Sequence, residues 1–462
     1  MDQTPTETPT ETLAAFAAGH SAEALPASAR VAARNLLLDS VACALASDFS
    51  DETDVYAQFA RAAGGAGQSS IIGSAERLSP LGASLLNAYQ ITAATVCDTY
   101  VPAHVHITPE IVPPALAIAE RDGASGAALL GAIAIGSEVA VRVAAGINYA
   151  VAGPRGWHMP GIVGPFGAAA AVGRILGLAP LQMRNALGLA GSQSAGTWAS
   201  WGTPTVKFHQ SRGAGSGLLA ALLAQTGFTA SADILTHRDG GILNAYSDGG
   251  RPGAITQALG TAWEFEEIAL RIWPGGTPLQ PTLTAAFDLL RSAAPDFGAI
   301  ARVRIEVSPD VHEAHARFVR PKGTFEALLS FHFAVASALR DGSFWLTSLS
   351  SAQIEDPAIV AFMADRMEIV ANPAIPRQVS IVTIEMTDGR KLVARADAAK
   401  GTRANPATVE DLRGKFHKCA AGRLSAADEA ELLDIILSIE AQTDLSRFFA
   451  LLRKPGPRQT AA

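Results

Sequence analysis

The sequence predicts a mainly α-helical protein, in which a large helical domain carries an inserted, smaller α+β domain. Apolar residues recur three and four positions apart through most of residues 13–262 and again after Asn405, which is the spacing of one helix face. Between these regions, residues 379–396 alternate as two strands joined at Asp388-Gly389, a dipeptide typical of hairpin turns. We therefore predict a helical domain from residues 1–262 and 404–462, with the α+β domain at residues 263–403.

Composition limits the classes of function. The chain has 462 residues, 48% of them hydrophobic and 17% charged, which is enough to bury a large core. Its net charge is −7 and it has no Lys/Arg-rich run, so nucleic acid is not an expected partner. Cys43, Cys97 and Cys419 have no ligand spacing, which argues against a disulfide framework and an iron–sulfur cluster and predicts three small buried side chains.

The sequence predicts neither a membrane span nor an export signal. The longest apolar run, from Gly123 to Gly136, is too short to cross a bilayer and is predicted to be a buried helix. The N-terminus, MDQTPTETPTETLAAF, is acidic and rich in Thr and Pro, unlike signal or transit peptides, and residues 1 to about 10 are expected to be disordered. These features predict a cytoplasmic protein that does not bind membranes.

The helical domain is expected to begin with two helices between Leu13 and Ser47, the second starting after Pro26. Alanine and glycine recur on the helices of this domain, which lets their axes approach closely. The Ser79-Pro80 pair starts another helix, because proline costs little in the first turn. The other predicted elements are a helix and an extended SSIIG segment within 51–73, and helices at 78–94, 112–119 and 124–146.

The pattern changes after Ala262, where charge and aromatic content rise and the break WPGGTPLQP follows. Residues 301–307, ARVRIEV, alternate as a strand, and Thr324–Leu339 is predicted to be a helix. Together with the hairpin, this predicts a small α+β domain with an antiparallel sheet. Ser425 is predicted to cap a C-terminal helix over residues 428–441.

Two glycine-rich stretches are candidates for a binding site. The first places His158 just before a helix, whose N-terminal amides and dipole favour an anion and the neutral, basic form of histidine. The second places Lys207, His209, Gln210 and Arg212 in a turn before another small-residue helix. These two turns indicate a pocket for a negatively charged small molecule. The alternative is that both are surface loops with incidental histidine and lysine.

A third candidate is the loop from Cys97 to Pro109, which contains Asp98, His104 and His106. On an extended segment the two histidines would point the same way, and their spacing could bind zinc. No third soft ligand is nearby, so we predict no metal site.

The glycine-rich stretches resemble the MmgE/PrpD family. The resemblance rests on GWHMPGIVGPFGAAAAVGRILGL and KFHQSRGAGSGLLAALLAQTGFTAS and extends from about Leu36 to Leu452. Family members include 2-methylcitrate dehydratase, cis-aconitate decarboxylase and iminodisuccinate epimerase. The resemblance implies a helical domain with a smaller lid domain, a homodimer, and proton transfer at a carbon next to a carboxylate without a cofactor.

The resemblance also implies roles for individual residues. Those that match active-site positions of the family are His106, His158, Lys207, Asp98 and Thr99. Where relatives carry a histidine three residues after the lysine, this chain has Gln210, and His209 stands one position earlier. Isoleucine rather than proline follows His106.

Larger departures from the family lie in the predicted lid. Relatives carry a lysine-x-tyrosine/phenylalanine-proline turn followed by histidine, whereas this chain has Arg271-Ile272-Trp273-Pro274-Gly275-Gly276. A tyrosine is frequent where Phe333 stands. His332 could replace the missing histidine or be an ordinary core residue, and Lys322 could contact an anion or be an ordinary solvated lysine.

We predict a cofactor-independent lyase that acts on a small di- or tricarboxylate, most nearly a dehydratase of the 2-methylcitrate type. Histidine titrates in the range that a general base needs, and lysine supplies fixed positive charge. In this hypothesis His158 transfers the proton, His106 is its partner, Asp98 orients a histidine, and Lys207 binds a carboxylate. The residues predicted to bind substrate are Lys207, Thr99, His209, Gln210, Arg212, Lys322 and His332.

Two alternatives stay open. An epimerase or a decarboxylase could use the same site and end the reaction differently. A binding protein could retain the fold without turnover. The position of His106, His158 and Lys207 relative to one another separates the enzyme hypothesis from the binding protein.

Overall fold

The structure is a computed structural model that describes residues 7–47 and 52–454. It is mainly α-helical, as predicted, and divides into two compact units. The first contains the described residues up to Ile268 and those from Leu412 onward, and the second is Ala269–Asp411. Most of the predicted N-terminal disorder lies outside the described residues. That prediction extends too far, however, because the first helix begins at Pro9, where Thr8 caps it.

The first unit is built from helices joined by short connections, many of them starting at a proline or after a capping serine. Ser79 and Ser125, for example, each accept a backbone N–H bond at a helix start. In chain order the helices are α1 (Pro9–Gly19), α2 (Ala27–Leu45), α3 (Glu52–Gly64), α4 (Pro80–Ala93), α5 (Thr108–Asp122), α6 (Gly126–Ile147), α7 (Tyr149–Ala152), α8 (Met159–Ile175), α9 (Pro180–Gly191), α10 (Thr205–Gln225), α11 (Ile242–Ser247) and α12 (Pro252–Thr256). The short strands β1 (Ala66–Ser70) and β2 (Arg77–Leu78) form an antiparallel pair, and β3 spans Thr99–Tyr100.

Two of these helices begin before the predicted residues. Helix α5 starts at Thr108, four residues before the predicted Val112, with Pro109 in its first turn. Helix α10 starts at Thr205, so the predicted turn from Lys207 to Arg212 is wrong and these residues are helical. Pro204 occupies the N-cap position of α10 and sets its start.

Small residues let the central helices pack closely, as predicted. Helix α8 packs against both α6 and α10. A Cβ atom on Gly217 of α10 would lie 2.3 Å from the Cβ of Ala168, and one on Gly136 of α6 would lie 2.7 Å from the carbonyl oxygen of Gly167. These contacts leave no room for a methyl group. The backbones of α6, α8 and α10 therefore pack in close contact. Helices α8 and α10 carry the two glycine-rich stretches that were candidates for a binding site.

Helix α6 is long and apolar enough to cross a membrane, but 89% of its most apolar window is buried inside the protein. The prediction of a buried helix is confirmed for this segment. The length argument was wrong, because the helix continues past Gly136 to Ile147. Glu138 does not end it, since its carboxylate is buried and accepts a bond from Arg142 one turn later at 2.7 Å.

The second unit combines helices with a four-stranded sheet. Its first strand, β4 (Ile268–Ala269), lies at the division between the units. The sheet contains β5 (Ile300–Val307), β6 (Met367–Ala371), β7 (Ser380–Met386) and β8 (Lys391–Ala396). Its helices are α13 (Gln280–Ala293), α14 (Pro309–His315), α15 (Thr324–Ala327), α16 (Phe331–Asp341), α17 (Ser351–Ile354) and α18 (Pro357–Arg366).

The predicted hairpin is confirmed, with β7 and β8 antiparallel and Gly389 at a φ of 85° in the turn. The sheet is not wholly antiparallel, however. Its order is β6-β5-β7-β8, and β6, which was not predicted, pairs with β5 in parallel. The predicted helix at residues 324–339 is two helices, because the Ser330 hydroxyl caps α16.

The chain ends with α19 (Val409–Ala420), α20 (Ala426–Leu437) and α21 (Ser446–Leu452). Ser425 caps α20 by accepting the N–H of Asp428, as predicted. Lys415 of α19 is buried and pairs with Asp39 of α2, which ties this C-terminal helix to the first helices of the chain.

Candidate active site

His158 ends the turn that leads into α8. It occupies the N-cap position, and its side chain makes no capping bond, so the ring is free to act elsewhere. Its backbone N–H donates to the carbonyl of Gly196 at 3.2 Å, and the residue is buried. The predicted placement at a helix start is therefore confirmed.

His158 and His209 face each other through their Nδ1 atoms, which are 3.0 Å apart. One nitrogen must donate and the other accept, so the pair shares a single proton along this contact. Burial, followed by the charges of His209 and His106, lowers the pKa of His158 to about 3. Burial and the charge of Arg212 also lower the pKa of His209. Both rings are neutral at pH 7, as predicted for His158, but the main cause is burial rather than the helix dipole.

Arg212 has a different role from the predicted one. Its Nη1 donates to the carbonyl of Gln193 at 2.6 Å, and its Nη2 donates to the carbonyls of Gly161 and Ala195 at 2.8 and 2.7 Å. Nη1 also lies 3.3 Å from the hydroxyl of Ser216. Because its terminal nitrogens are committed to backbone carbonyls, we assign Arg212 the role of fixing the loop after α9 to the start of α8, rather than binding substrate.

The backbone of Asp98 fixes the tautomer of His106. The Nδ1 of His106 lies 2.6 Å from the carbonyl oxygen of Asp98, which can only accept a hydrogen bond. Nδ1 therefore carries the proton, and Nε2 keeps the lone pair that a base needs. Thr99 and Cys97 also lie near Nδ1, with Oγ1 at 3.4 Å and Sγ at 3.8 Å.

The carboxylate of Asp98 does not orient a histidine, contrary to the prediction. Its Oδ2 accepts the N–H of Ile107 at 2.8 Å, and its Oδ1 accepts the N–H and hydroxyl of Thr108 at 3.2 and 2.5 Å. It therefore caps the start of α5. Burial raises the pKa of Asp98 to about 6, although the bonds from Thr108 and Ile107 oppose this shift.

His104 and His106 do not point the same way. His104 adopts a left-handed conformation with a φ of 49°, and its ring stacks on Tyr149 at a centroid distance of 4.7 Å. The expectation of an extended segment fails because a short 3₁₀ turn, Val101–Ala103, precedes His104.

Lys207 lies in the first turn of α10. Its Nζ is 3.9 Å from Oε2 of Glu52, and burial lowers its pKa while the charges of Glu52 and Cys97 oppose that shift. Its side chain keeps 20% of its surface exposed, so an anion can reach it. The ammonium group is thus only loosely paired within the protein, which suits a carboxylate-binding role.

Two of the three main predicted residues are connected through His209. The ring of His209 contacts that of His158, and Lys207 stands two positions before His209 on α10. The charge of His106 acts on the same pair, because it lowers the pKa of His158. His158, His209 and Lys207 therefore belong to one cluster, and the alternative of unrelated surface loops is wrong for the buried pair His158 and His209.

The contacts of the remaining predicted residues do not by themselves indicate substrate binding. Thr99 is buried and its hydroxyl donates to the carbonyl of Asp98 at 2.8 Å. Gln210 is buried on α10, and its Oε1 has no hydrogen-bond partner in the described part of the chain. Lys322 and His332 belong to the second unit. Lys322 is exposed. His332 is buried in α16, and burial lowers its pKa to about 4. Its surroundings are those of an ordinary core residue, which was the alternative for this histidine.

Sequence reasoning missed two residues near the site. Trp198 lies against the ring of His158 at a centroid distance of 5.5 Å, and only its position in GTWASWG before the lysine turn could have suggested this. Glu110, in the first turn of α5, is fully buried beside Gly164 and Gly213, with its Cγ 2.3 Å and 3.2 Å from where their Cβ atoms would be. No sequence pattern singles out this carboxyl group.

No group of three or more His, Cys, Asp or Glu side chains is placed to hold a metal ion in residues 7–47 and 52–454. Cys43, Cys97 and Cys419 are all buried, which confirms that part of the prediction. What the cluster offers is two neutral imidazoles that share a proton, together with a lysine. That composition suits proton transfer on an anionic substrate.

Comparisons with known proteins match both halves of the chain to one family. Residues 11–254 match the MmgE/PrpD N-terminal domain and residues 273–441 the MmgE/PrpD C-terminal domain. The cis-aconitate decarboxylase-like protein oryM of Aspergillus oryzae is 26% identical over 456 residues, covering 93% of this chain and 94% of that protein. Cis-aconitate decarboxylase of Homo sapiens is 26% identical over 401 residues, covering 84% and 82%. That of Aspergillus terreus is 23% identical over 467 residues, covering 95% of each.

The class of the protein is a mainly helical one, with histidines and a lysine near the starts of two packed helices. The chain belongs to the MmgE/PrpD family, because the two family matches together span most of its length. The named relatives support an enzyme of the lyase class, and the predicted family is confirmed.

Proposed function

We propose that the protein is a lyase that removes CO₂ from a small unsaturated carboxylate of the cis-aconitate type. The observation that carries this proposal is the buried contact between His158 and His209, with Lys207 two positions before His209 on α10. The relatives named as cis-aconitate decarboxylases favour decarboxylation over the other outcomes of the same site. The dehydratase of the 2-methylcitrate type remains a prediction that the same experiment tests.

The step needs one proton and a cation. When the bond to the departing carboxylate breaks, its electron pair forms a new double bond to the neighbouring carbon. The pair of the original double bond then takes a proton at the carbon next to a remaining carboxylate. CO₂ leaves, and one proton enters for each turnover. The charge that develops on the remaining carboxylate needs a fixed cation, which is the role proposed for Lys207.

His158 is the proposed proton donor, and its environment explains how it becomes protonated. Burial and the neighbouring histidines lower its pKa to about 3, so the ring is neutral at pH 7. A bound dianion places negative charge beside the ring and raises that pKa, because an opposite charge favours the protonated form. His209 accepts or donates at Nδ1 and so holds the ring in place while Nε2 gains and loses the proton. His106, whose Nε2 is the lone-pair nitrogen, acts opposite it.

Three measurements on one substrate panel test this proposal. The panel contains cis-aconitate, 2-methylcitrate and an enantiomerically pure amino- or hydroxy-dicarboxylate, and the readouts are released CO₂, the absorbance of a new double bond, and optical rotation. We expect CO₂ from cis-aconitate. Dehydration of 2-methylcitrate without CO₂ release would replace the proposal with the dehydratase, and loss of optical rotation alone would replace it with the epimerase. Binding of these acids without turnover would support the alternative of a binding protein.

Metal independence is tested on the same substrate. We expect activity to survive strong chelators, since the proposed step uses imidazole and ammonium groups alone. Activity that disappears with EDTA and returns with zinc or iron would show that a metal takes part.

A further inference from the structure

Two tryptophans form an aromatic surface beside the proposed proton donor. Trp198 lies 5.5 Å from His158 and stacks on Trp201 at 6.1 Å and an interplanar angle of 21°. They remain 41% and 38% exposed, whereas His158 is buried. Large aromatic rings gain free energy when they leave water, so a stacked and half-exposed pair next to a reactive group suits a ligand that covers it. We call Trp198 and Trp201 the tryptophan surface.

The tryptophan surface is held in place by the backbone of the His158 turn. The N–H of Trp198 donates to the carbonyl of Gly156 at 2.7 Å, and Trp157 forms a β-bridge with Thr197. A Cβ atom on Gly196 would lie 3.2 Å from the Nδ1 of His209, so the loop passes directly over the histidine pair. Arg212 fixes the preceding residues of the loop to the start of α8. The surface is therefore part of the site's framework rather than a loose loop.

The charges of the site point to the same conclusion. A tricarboxylate such as cis-aconitate carries three negative charges, and each one that is buried needs a cation or several hydrogen-bond donors. Within the described residues of this cluster, Lys207 supplies a cation, but Arg212 gives its terminal nitrogens to carbonyls. Glu52 also competes for Lys207. The cluster therefore offers more apolar surface and less positive charge than a compact tricarboxylate requires.

We propose that the tryptophan surface selects the substrate, and that this substrate is an unsaturated dicarboxylate whose third substituent is apolar and packs on Trp198. The inference rests on the proposed function, because it concerns the substrate of the same site. In the simplest form, the central carboxylate of cis-aconitate is replaced by an alkyl or aryl group, which gives a 3-substituted glutaconate.

The chemistry of that substrate balances in the same way. The bond between the CH₂ group and its carboxylate breaks, CO₂ leaves, and the freed pair forms a terminal double bond to the substituted carbon. The original double bond takes one proton, from His158, at the carbon next to the remaining carboxylate. The product is a 3-substituted but-3-enoate plus CO₂, and solvent returns the proton to the histidine. The apolar substituent takes no part in bond changes, so it affects recognition alone.

The test compares cis-aconitate with 3-methyl-, 3-butyl- and 3-benzylglutaconate. For the wild-type protein we expect kcat/KM for CO₂ release to rise with the size of the substituent, by about tenfold or more from methyl to benzyl, since aromatic contact and burial together are worth a kcal/mol or more. In Trp198→Ala we expect this rise to disappear, and in Trp198→Phe to be partly kept. Phe228→Ala is the matched control, because Phe228 is a 54% exposed aromatic residue of the same unit outside the site.

Each outcome decides between distinct conclusions. If wild type prefers cis-aconitate, and Trp198→Ala lowers kcat/KM equally for all substrates, the inference is wrong and the proposed function stands. If no substrate releases CO₂, but 3-benzylglutaconate quenches the tryptophan fluorescence of wild type and not that of Trp198→Ala, the proposed function is wrong and the tryptophan surface still binds the apolar substituent. If Trp198→Ala and Trp201→Ala instead convert a dimer to a folded monomer in sedimentation, the surface belongs to a second copy of the chain and the inference is wrong.

Discussion

A histidine with a pKa of about 3 is a weak base in the empty protein, so its value in catalysis depends on what binds beside it. His158 is buried, shares a proton with His209 and feels the charge of His106. Each of these effects disfavours its charged form, and a substrate carboxylate reverses the balance. The histidine pair is therefore uncharged, and His158 gains its proton when a substrate carboxylate binds beside it.

His158→Asn tests this directly. Asparagine keeps much of the shape and hydrogen bonding but cannot titrate, so we expect kcat to fall by about a hundredfold or more. The measurement is turnover in D₂O together with deuterium incorporation at the carbon that takes up the proton. His417→Asn is the control, because the side chain of His417 is 73% exposed. If His158→Asn is folded and incorporates deuterium as fast as wild type, His158 is structural and His106 becomes the candidate proton donor.

Lys207→Ala tests the carboxylate-binding role. A charge-assisted hydrogen bond contributes about 1.5–3 kcal/mol, so we expect kcat/KM to fall by about tenfold to a hundredfold, mainly through KM. Glu52→Gln should have the opposite effect and lower KM slightly, because it removes the carboxylate 3.9 Å from Nζ. Normal substrate binding in Lys207→Ala, combined with loss of deuterium incorporation from D₂O, would identify the lysine as the proton donor instead.

Glu110→Gln concerns stability. Both carboxyl oxygens of Glu110 are buried and have no hydrogen-bond partner among the residues described, and burial, followed by the charge of Asp98, raises its pKa well above 4.5. The unfolded chain therefore releases this proton at a lower pH than the folded one, and stability falls as pH rises above about 4.5. We expect Glu110→Gln to match wild type near pH 4 and to exceed it by about 1 kcal/mol or more at pH 8. An unchanged pH dependence in thermal unfolding would contradict this.

At the residue scale, the sequence could identify individual side chains but not their partners. His158, His106 and Lys207 stood out because glycine, proline and charge surround them. The contact between His158 and His209 spans 51 positions, and no local pattern encodes it. The roles of Asp98 and Arg212 were misassigned for the same reason: each gives its polar atoms to backbone groups, which a sequence does not mark.

At the scale of elements, the site depends on how closely α8 and α10 pack. His158 precedes the first of these helices, and Lys207 and His209 lie in the first turns of the second. Their separation is set by glycines further along, such as Gly217, which contacts Ala168 and Pro165. A change in this contact should therefore move the histidine pair.

Gly217→Ala, compared with Gly414→Ala, tests the helix contact. The new methyl group on Gly217 would lie 2.3 Å from the Cβ of Ala168 and 2.5 Å from the carbonyl oxygen of Pro165, so we expect a loss of about 1–3 kcal/mol in unfolding free energy. Gly414, in α19, has open space around it, and its replacement should stabilise by up to about 1 kcal/mol because alanine favours helices. If both variants change the unfolding free energy equally in denaturant, close packing at Gly217 does not determine the loss of stability.

Elements were predictable where their signals are local. The Asp388-Gly389 hairpin, the helix starts at Ser79 and Ser425 and the buried helix α6 all follow from turn, cap and periodicity patterns. Strand β6 was missed because it pairs in parallel with β5, more than sixty positions away, and its burial does not alternate. The start of helix α10 was predicted too late because residues 209–212 form a polar run, although Pro204 marks the start.

At the scale of the whole molecule, several groups change stability in opposite directions as pH falls from neutral. The buried carboxyl groups of Glu110 and Asp98, whose pKa values burial raises, favour the folded state on acidification. The chain has a net charge of −7 at pH 7 and a pI of about 5.8, so acidification toward the pI relieves general repulsion. Buried histidines act in the other direction. Burial lowers the pKa of His158 to about 3 in the first unit and that of His332 to about 4 in the second, whereas both titrate near 6.5 when unfolded.

The contribution of one buried histidine can be isolated by comparing variants. A histidine that stays neutral in the folded state while the unfolded chain takes up a proton costs up to about 1.4 kcal/mol per pH unit below 6.5, down to its folded pKa. His332→Gln cannot titrate, so we expect its melting temperature relative to wild type to rise as pH falls from 6.5 to 4.5. In the exposed control His417→Gln, the difference from wild type should stay constant over this range. An equal pH dependence of the melting temperature in all three proteins would show that the buried histidine of the second unit does not contribute to its acid stability.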